Sequence, residues 1–253
     1  MKVVMKVSVI IPALNEEGTI RRTVTVAKRA FPEGEIIVSD SGSKDATRSI
    51  AALAGARVVK AARGKGNAMA RGADESCGRV IVFFDADITD VSARMLKRLA
   101  KPVIEGECGV SIGSYVSPYP QTFTETVYRP FVKLLFPEVN AAIPQSPLSG
   151  QRAMLKCVWS RMDVARDFGV ETSMNIDLVL KNVPIRTVHL GTIHPISKGV
   201  LGRKALMTRA EEIANALISK ARQYGRLNII EESHFRTVCE GMVSALRREI
   251  PAQ

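Results

Sequence analysis

Two carboxylates, Asp85 and Asp87, follow the apolar run Val80–Phe84. Alternate side chains of an extended strand share a face, so both acids are predicted to converge at the strand's end. Like charges held that close need a counter-ion, and a divalent cation bound through oxygens is the natural one. Magnesium binds through one or two carboxylates together with substrate phosphates. A pair of acids at a strand end can therefore hold a diphosphate through Mg2+ or Mn2+.

Three further groups have residue types suited to the same chemistry. Asp40-Ser41-Gly42-Ser43-Lys44-Asp45 follows another apolar run, and Asp40 can accept bonds from a base or ribose, though turn-forming residues alone would account for the segment. Arg63-Gly64-Lys65-Gly66-Asn67 opens a helical pattern, where exposed amides and two cations would suit a phosphate. It has neither the GxxxxGK[ST] spacing of a P-loop nor GxGxxG after a strand. His194 follows an apolar stretch, and Glu171 and Asp177 are the best later carboxylates for an acceptor hydroxyl. A solvated or structural role is open for each.

The elements that must position these residues alternate in period. Strands are expected over Lys6–Pro12, Glu35–Ser39, Val58–Val59 and Arg79–Phe84, where branched and aromatic residues run together. Helices are expected from Asn15 to Ala30, Ser43 to Leu53, Lys65 to Cys77 and Ser92 to Glu105, with Asn15 and Ser43 as N-caps. Further on come a strand over Val110–Val116, helices over Thr122–Phe136 and Val170–Leu180, a strand over Arg186–Ile193, and terminal helices over Lys204–Tyr224 and Ile230–Arg248. Such alternation implies an α/β fold, a mostly parallel sheet with helices on both faces, plus the C-terminal helices. Ligands of such sheets bind beyond the C-terminal ends of the strands, where Asn15, Asp40, Asp85 and Asp87 fall. We expect a ligand-binding half over 1–109 and an acceptor half over 110–253, joined in one continuous domain.

Length and composition agree: 253 residues, 46% apolar and 24% charged, suit one large α/β domain. No apolar run reaches the ~18 residues that span a bilayer, and the short run before Asn15 reads as a strand rather than a signal peptide. The expectation is a cytoplasmic protein without a transmembrane segment. Cys77, Cys108, Cys157 and Cys239 form no CxxC pair and read as buried free thiols. The formal charge of +11 favours anionic partners. Aromatics at 5%, without basic-aromatic interleaving, argue against nucleic acid. The late basic residues, among them Arg209 and Lys220, suit either a solvated helix face or an anion site.

Taken together, Val7–Glu17, Ile37–Thr47, Gly64–Asn67 and Phe84–Asp87 resemble the family 2 type of GT-A-fold glycosyltransferases, over roughly the first 90 residues. Shorter stretches, Phe136-Pro-Glu138, Pro147-Leu-Ser-Gly150, Gly169-Val-Glu171 with Asp177, and Leu190-Gly191 before His194, are similar to one retaining group of them, the glucosyl-3-phosphoglycerate synthases. The resemblance implies a GT-A, Rossmann-like fold and a metal-dependent hexosyl transfer from a nucleotide diphosphate sugar, of the UDP-glucose or GDP-mannose type, to a small anionic acceptor such as 3-phosphoglycerate. It implies donor binding by Pro12, Ala13, Leu14, Asn15, Glu16, Ser39 or Asp40, Lys65, Asp85 and Ala86, metal binding by Asp85, Asp87 and His194, and acceptor binding by Thr124 and Gly150. Catalytic roles would fall to Lys65, Glu171 and Asp177. One departure is plain. The group carries an arginine before the acceptor-loop threonine, where this chain has Pro120-Gln-Thr-Phe-Thr124.

Phe84-Asp85-Ala86-Asp87-Ile88-Thr89 also fits the DxDxT motif of haloacid-dehalogenase-like phosphatases, in which the first aspartate is the nucleophile. That motif belongs after the first strand, and here three strands precede it. A sugar nucleotidyltransferase would carry a glycine-rich loop where Pro12–Glu16 stands. A nucleotide-sugar-binding protein without turnover is the third alternative, and a homodimer through the terminal helices is left open.

Overall fold

The structure, a computed structural model, describes residues 5–118, 121–194 and 203–227, with 237 and 241. Its elements run β1 (Val7–Ala13), α1 (Ile20–Ala30), β2 (Glu35–Asp40), α2 (Thr47–Leu53), β3 (Arg57–Lys60), α3 (Lys65–Glu75), β4 (Val80–Phe83), α4 (Ala93–Ile104) and β5 (Val110–Val116). One π-helical turn (Thr124–Tyr128) leads into α5 (Arg129–Leu135), then α6 (Pro137–Ala142), β6 (Arg152–Leu155), α7 (Lys156–Trp159), α8 (Val170–Leu180), β7 (Ile185–Thr192) and α9 (Arg203–Gln223). The described strands form one seven-stranded sheet in the order β3-β2-β1-β4-β6-β5-β7. All neighbours are parallel except β6, which runs antiparallel to both β4 and β5. The α/β fold and mostly parallel sheet read from the alternation are what the chain adopts.

The sheet is apolar on both faces, as a covered parallel sheet must be. Val9, Ile11, Val38, Val82 and Phe84 pack under α1 and α4, whereas Ile10, Ile81, Phe83, Ile112 and Met154 pack under α3 and α8. In α1 the buried positions Ile20, Thr23, Val24, Ala27 and Ala30 recur at three and four, so one stripe faces the sheet. A third apolar cluster joins the π turn, α5 and α6 to α9 through Tyr128, Phe131, Val132, Phe136, Ile213 and Leu217.

Several boundaries differ from expectation for local reasons. Asn15 does not cap α1. Its backbone is left-handed (φ 55°), its amide donates to Ser43 Oγ (2.9 Å), and its Oδ1 accepts from the Lys44 amide (2.9 Å). Glu16 N donates to Thr47 Oγ1 (2.7 Å) and Glu17 N to Asp45 Oδ2 (3.1 Å), so the loops after β1 and β2 are laced together and α1 and α2 begin later. Ser43, taken up by this lacing, does not cap α2. Ser92 does cap α4, accepting from Met95 N at 3.3 Å. The β6 strand and the short α6 and α7, unassigned in the sequence, fill the turn-rich middle. Cys108 is buried, but Cys77 and Cys157 are exposed rather than buried. The helix expected over 230–248, His234 and Cys239 lie outside the described residues.

Candidate active site

Because β1, β2, β4, β5 and β7 are mutually aligned, their C-terminal ends form one rim, and β6 starts from that rim. Arg152, the first residue of β6, pairs with Phe83 near the end of β4. This antiparallel start places Gln151 beside Asp85. Gln151 Nε2 donates to Asp85 Oδ2 (2.9 Å), and Asp85 N donates to Gln151 Oε1 (3.0 Å). The other carboxylate oxygen, Oδ1, lies 3.0 Å from Lys65 Nζ, and Lys65 is also 2.7 Å from Glu171 Oε1. Lys65, from the start of α3, and Glu171, from the start of α8, are thus joined over the end of β4. Glu171 is 2% exposed. Burial would drive the proton off Lys65, but Asp85 and Glu171 outweigh it and hold the ammonium's pKa well above its ordinary value.

Gly150 is part of this packing. A Cβ there would meet Asp85 Oδ2 first, then Asp85 Oδ1 and Lys65 Nζ at 2.7 Å each, so only glycine fits. The loop before it hangs on Arg152, a fully buried cation. Its Nε donates to Ser149 O (2.9 Å), Nη2 to Pro147 O (2.8 Å) and Nη1 to Asn175 Oδ1 (2.8 Å). Asn175 in turn donates to Pro147 O (2.8 Å) and Tyr128 Oη (2.9 Å). Burial pulls the Arg152 pKa down, while Glu171 is the leading opposing charge. Tyr115, near the end of β5, has its hydroxyl pKa pushed up to about 12, by burial first and Asp85 second.

The remaining expected residues fall into three groups. Pro12 and Ala13 end β1 in register with Ser39 and Asp40 on β2, and Leu14, Asn15 and Glu16 follow in the loop. Ser39 is buried and its hydroxyl has no hydrogen-bond partner among the described residues. Asp40 is spent on the turn, accepting from the amides of Gly42 (3.2 Å) and Ser43 (3.2 Å). Ala86 is buried, with its carbonyl accepting from Thr23 Oγ1 (3.3 Å). Asp87 is half-buried two residues beyond Asp85. Thr124 is buried at the start of the π turn.

Two expectations are corrected by the geometry. Asp177, read as a base or acceptor ligand, is fully buried and saturated. It takes Lys220 Nζ at 2.7 Å and Tyr224 Oη at 3.0 Å on Oδ1, and the Asp163 amide at 2.8 Å and Lys181 Nζ at 3.0 Å on Oδ2. Six residues turn a helix by about 600°, so Asp177 does not share a face with Glu171 but clamps α8 to α9. Burial would raise its pKa, yet Lys220, the Asp163 amide and Lys181 hold it below the ordinary carboxylate value. Lys220, read as solvated or anion-binding, is this buried partner. His194, expected beside Asp85 and Asp87, has its ring Nδ1 3.1 Å from Asp90 Oδ2 and its amide 3.1 Å from Asp90 Oδ1. Among the described residues no three His, Cys, Asp or Glu side chains gather around one point.

The amides opening α3 are also less open than the motif implied. Gly66 N donates to Asp167 O (3.1 Å) and Asn67 N to Arg166 O (2.8 Å), and Gly64 needs its positive φ (122°) to make the turn. What that helix start offers is the Lys65 side chain. The 165–169 loop that covers it is held in turn by α9, since Phe168 N donates to Glu212 Oε2 (3.0 Å).

Residue types alone did not single out Gln151, Arg152, Asn175 or Phe168. A cation heading the apolar strand Arg152–Leu155 was the one visible sign.

A mostly parallel sheet with charged side chains gathered at its C-terminal rim has the layout in which α/β proteins bind ligands. The sequence model of glycosyl transferase family 2 matches residues 8–158, and the chain belongs to that family. The glucosyl-3-phosphoglycerate synthase of Mycolicibacterium smegmatis is 32% identical over 194 residues, 68% of this chain and 63% of that protein. That of Petrotoga mobilis is 27% identical over 262 residues, 90% of this chain and 77% of that protein. A crystal structure of the Mycobacterium tuberculosis synthase, in complex with Mn2+, UDP-glucose and phosphoglyceric acid, superposes with a TM-score of 0.77 at 28% identity, covering 86% of this chain and 80% of that one. The chain thus spans less than two thirds of the length of the mycobacterial relative that it matches in sequence. Among the described residues no helix is long and apolar enough to cross a membrane.

Proposed function

We propose that this chain is a metal-dependent hexosyltransferase that takes a nucleotide diphosphate sugar, UDP-glucose before GDP-mannose, and a small phosphorylated acceptor of the 3-phosphoglycerate kind. The observation that carries the reading is the Asp85–Lys65–Glu171 ion-pair chain, braced by Gln151, at the C-terminal rim of the sheet. Relatives that align over most of the chain carry that activity in their names, and one was crystallised with Mn2+ and UDP-glucose. The formal charge of +11 suits anionic substrates.

The available oxygen donors suit Mg2+ or Mn2+. Asp87, two residues beyond Asp85 on the same rim, is the residue we assign to direct contact with the cation, while Asp85 keeps Lys65 in place. His194 joins them only if its ring leaves Asp90. A divalent cation there would supply the charge that makes the nucleoside diphosphate a better leaving group. Pro12–Glu16 and the unpartnered Ser39 hydroxyl hold the nucleoside. Lys65, buried and charged, stabilises the oxygen from which the sugar departs.

Glu171 is engaged by Lys65, which suits a positioning role better than that of a general base. This favours transfer with retention. The acceptor oxygen bonds to the anomeric carbon, the bond from that carbon to the phosphate oxygen breaks, and the acceptor's proton passes to the departing diphosphate.

Calorimetric titration with UDP and GDP, with and without Mn2+ or Mg2+, on wild type and Asp87→Ala tests the reading. Metal-dependent binding of UDP, lost in the variant, is expected, followed by glucose transfer from UDP-glucose to 3-phosphoglycerate. If no nucleotide binds, the reading is wrong, and phosphomonoester hydrolysis through Asp85 becomes the activity to assay.

A further inference from the structure

One cation near the site is outside the ion-pair chain. Arg209 lies on α9, next to the buried Ala210, and its guanidinium carbon is 4.5 Å from the centroid of the Phe168 ring. Lys65 Nζ is 5.5 Å from the same centroid, so the two cations are no more than about 10 Å apart. Lys65 is neutralised by Asp85 and Glu171. Arg209 has no such partner, since among the described residues no ion pair or hydrogen bond joins its guanidinium to a carboxylate.

Its surroundings identify what it lacks. Burial is the main influence and pulls its pKa down, and the opposing charges are Asp87 first, then Glu212, then Asp85. Glu212 is committed to the Phe168 amide. The other two acids that act on it head the proposed donor site. A half-buried guanidinium stays charged, and an aromatic face offsets only part of its lost hydration. An anion bound between Arg209 and the Asp85–Asp87 rim would supply the rest. A planar fork with parallel N–H donors matches phosphate oxygens.

The geometry points to Arg209 as a diphosphate-binding residue, delivered to the donor site by α9. This rests on the nucleotide-sugar reading given above. Through Phe168 it also links donor binding to the docking of α9 on the 165–169 loop, which covers the start of α3.

The test compares UDP with uridine, which shares the base and ribose but lacks phosphates, by calorimetry on the full chain with Mn2+. Arg209→Gln is expected to weaken UDP binding at least tenfold and leave uridine within twofold. Arg209→Lys, which keeps the charge without the fork, is expected to fall between Arg209→Gln and wild type, and it decides the matter if Arg209→Gln does not fold. UDP affinity within twofold of wild type in the folded variants overturns the inference, and so does an equal loss for UDP and uridine, which marks a merely structural role. A wild-type chain that binds no UDP removes the nucleotide-sugar reading itself, a result distinct from either variant outcome.

Discussion

Gly150 shows how little room the site leaves at the level of single atoms. A methyl group there would press first on Asp85 Oδ2 and then on Asp85 Oδ1 and Lys65 Nζ at 2.7 Å, closer than real Cβ contacts come, so the pair must move. The Asp85 carboxylate, nearest of all, cannot stay where Gln151 and Lys65 hold it, so the Lys65–Asp85 contact is expected to be displaced. Misplacing a catalytic group by about 1 Å costs about 100-fold. Gly150→Ala is therefore expected to lower kcat/KM for UDP-glucose about 100-fold while far-UV circular dichroism stays at wild type. Full activity in Gly150→Ala would mean that the Lys65–Asp85 contact does not matter for transfer. At this scale the sequence was partly legible. Asp85, Lys65 and Glu171 were each singled out, and Gly150 was tied to the acceptor. Glu171 and Asp177 stood on an equal footing because burial and partners, which separate them, are invisible in a string of residues. Gln151 was missed because its role depends on β6 running antiparallel beside β4.

Between elements, the Asp177 clamp decides whether α9 stays against α8. Asp177 is 0% and Lys220 3% exposed, and breaking a buried pair by removing one partner strands the other charge. Lys220→Met is expected to destabilise the chain by about 3 kcal/mol, the low end for such pairs because Lys181 still reaches Asp177. For a chain of this length that is about 6–12 °C in Tm. Adding Asp177→Leu removes the stranded charge, and the double variant should recover part of the loss in a double-variant cycle. A double variant less stable than Lys220→Met would show that Asp177 is held by something other than its ion pairs. The elements themselves were the most legible feature of the sequence. Val110–Val116 and Val170–Leu180 have the limits expected from the sequence. Helix starts after β1 and β2 were misplaced because Asn15 and Ser43 bond across to each other's loop rather than to their own helix. The stretch from 137 to 169 was unreadable for the same reason: α6, β6 and α7 are held by partners distant in the chain.

For the whole molecule, acid is the condition to which the folded state is most exposed. Glu35 sits at the opposite end of the strands from the site. Burial would raise its pKa, but the Cys77 amide, the Ser8 hydroxyl and Arg57 bring it down to about 2. Asp45, Asp90, Glu75 and Asp177 are also held below their ordinary values. A carboxyl whose pKa is lower folded than unfolded contributes stability that is fully present above its unfolded pKa. For Glu35 that contribution is lost as pH falls from its ordinary 4.5 towards about 2. The same titration removes the 25 acidic charges that offset 36 Lys and Arg, so self-repulsion grows as the carboxyl contacts weaken. Tm is accordingly expected to stay nearly level from pH 7 down to about 5 and then to fall steeply towards pH 2. The two causes separate in Glu35→Gln, which cannot ionise: its Tm should start lower at pH 7 and fall less between pH 4.5 and pH 2 than that of wild type. Added salt should soften the decline in both chains by screening the repulsion. If Glu35→Gln and wild type decline in parallel, the Cys77–Ser8–Arg57 contacts contribute nothing to the acid transition, and net charge alone sets it.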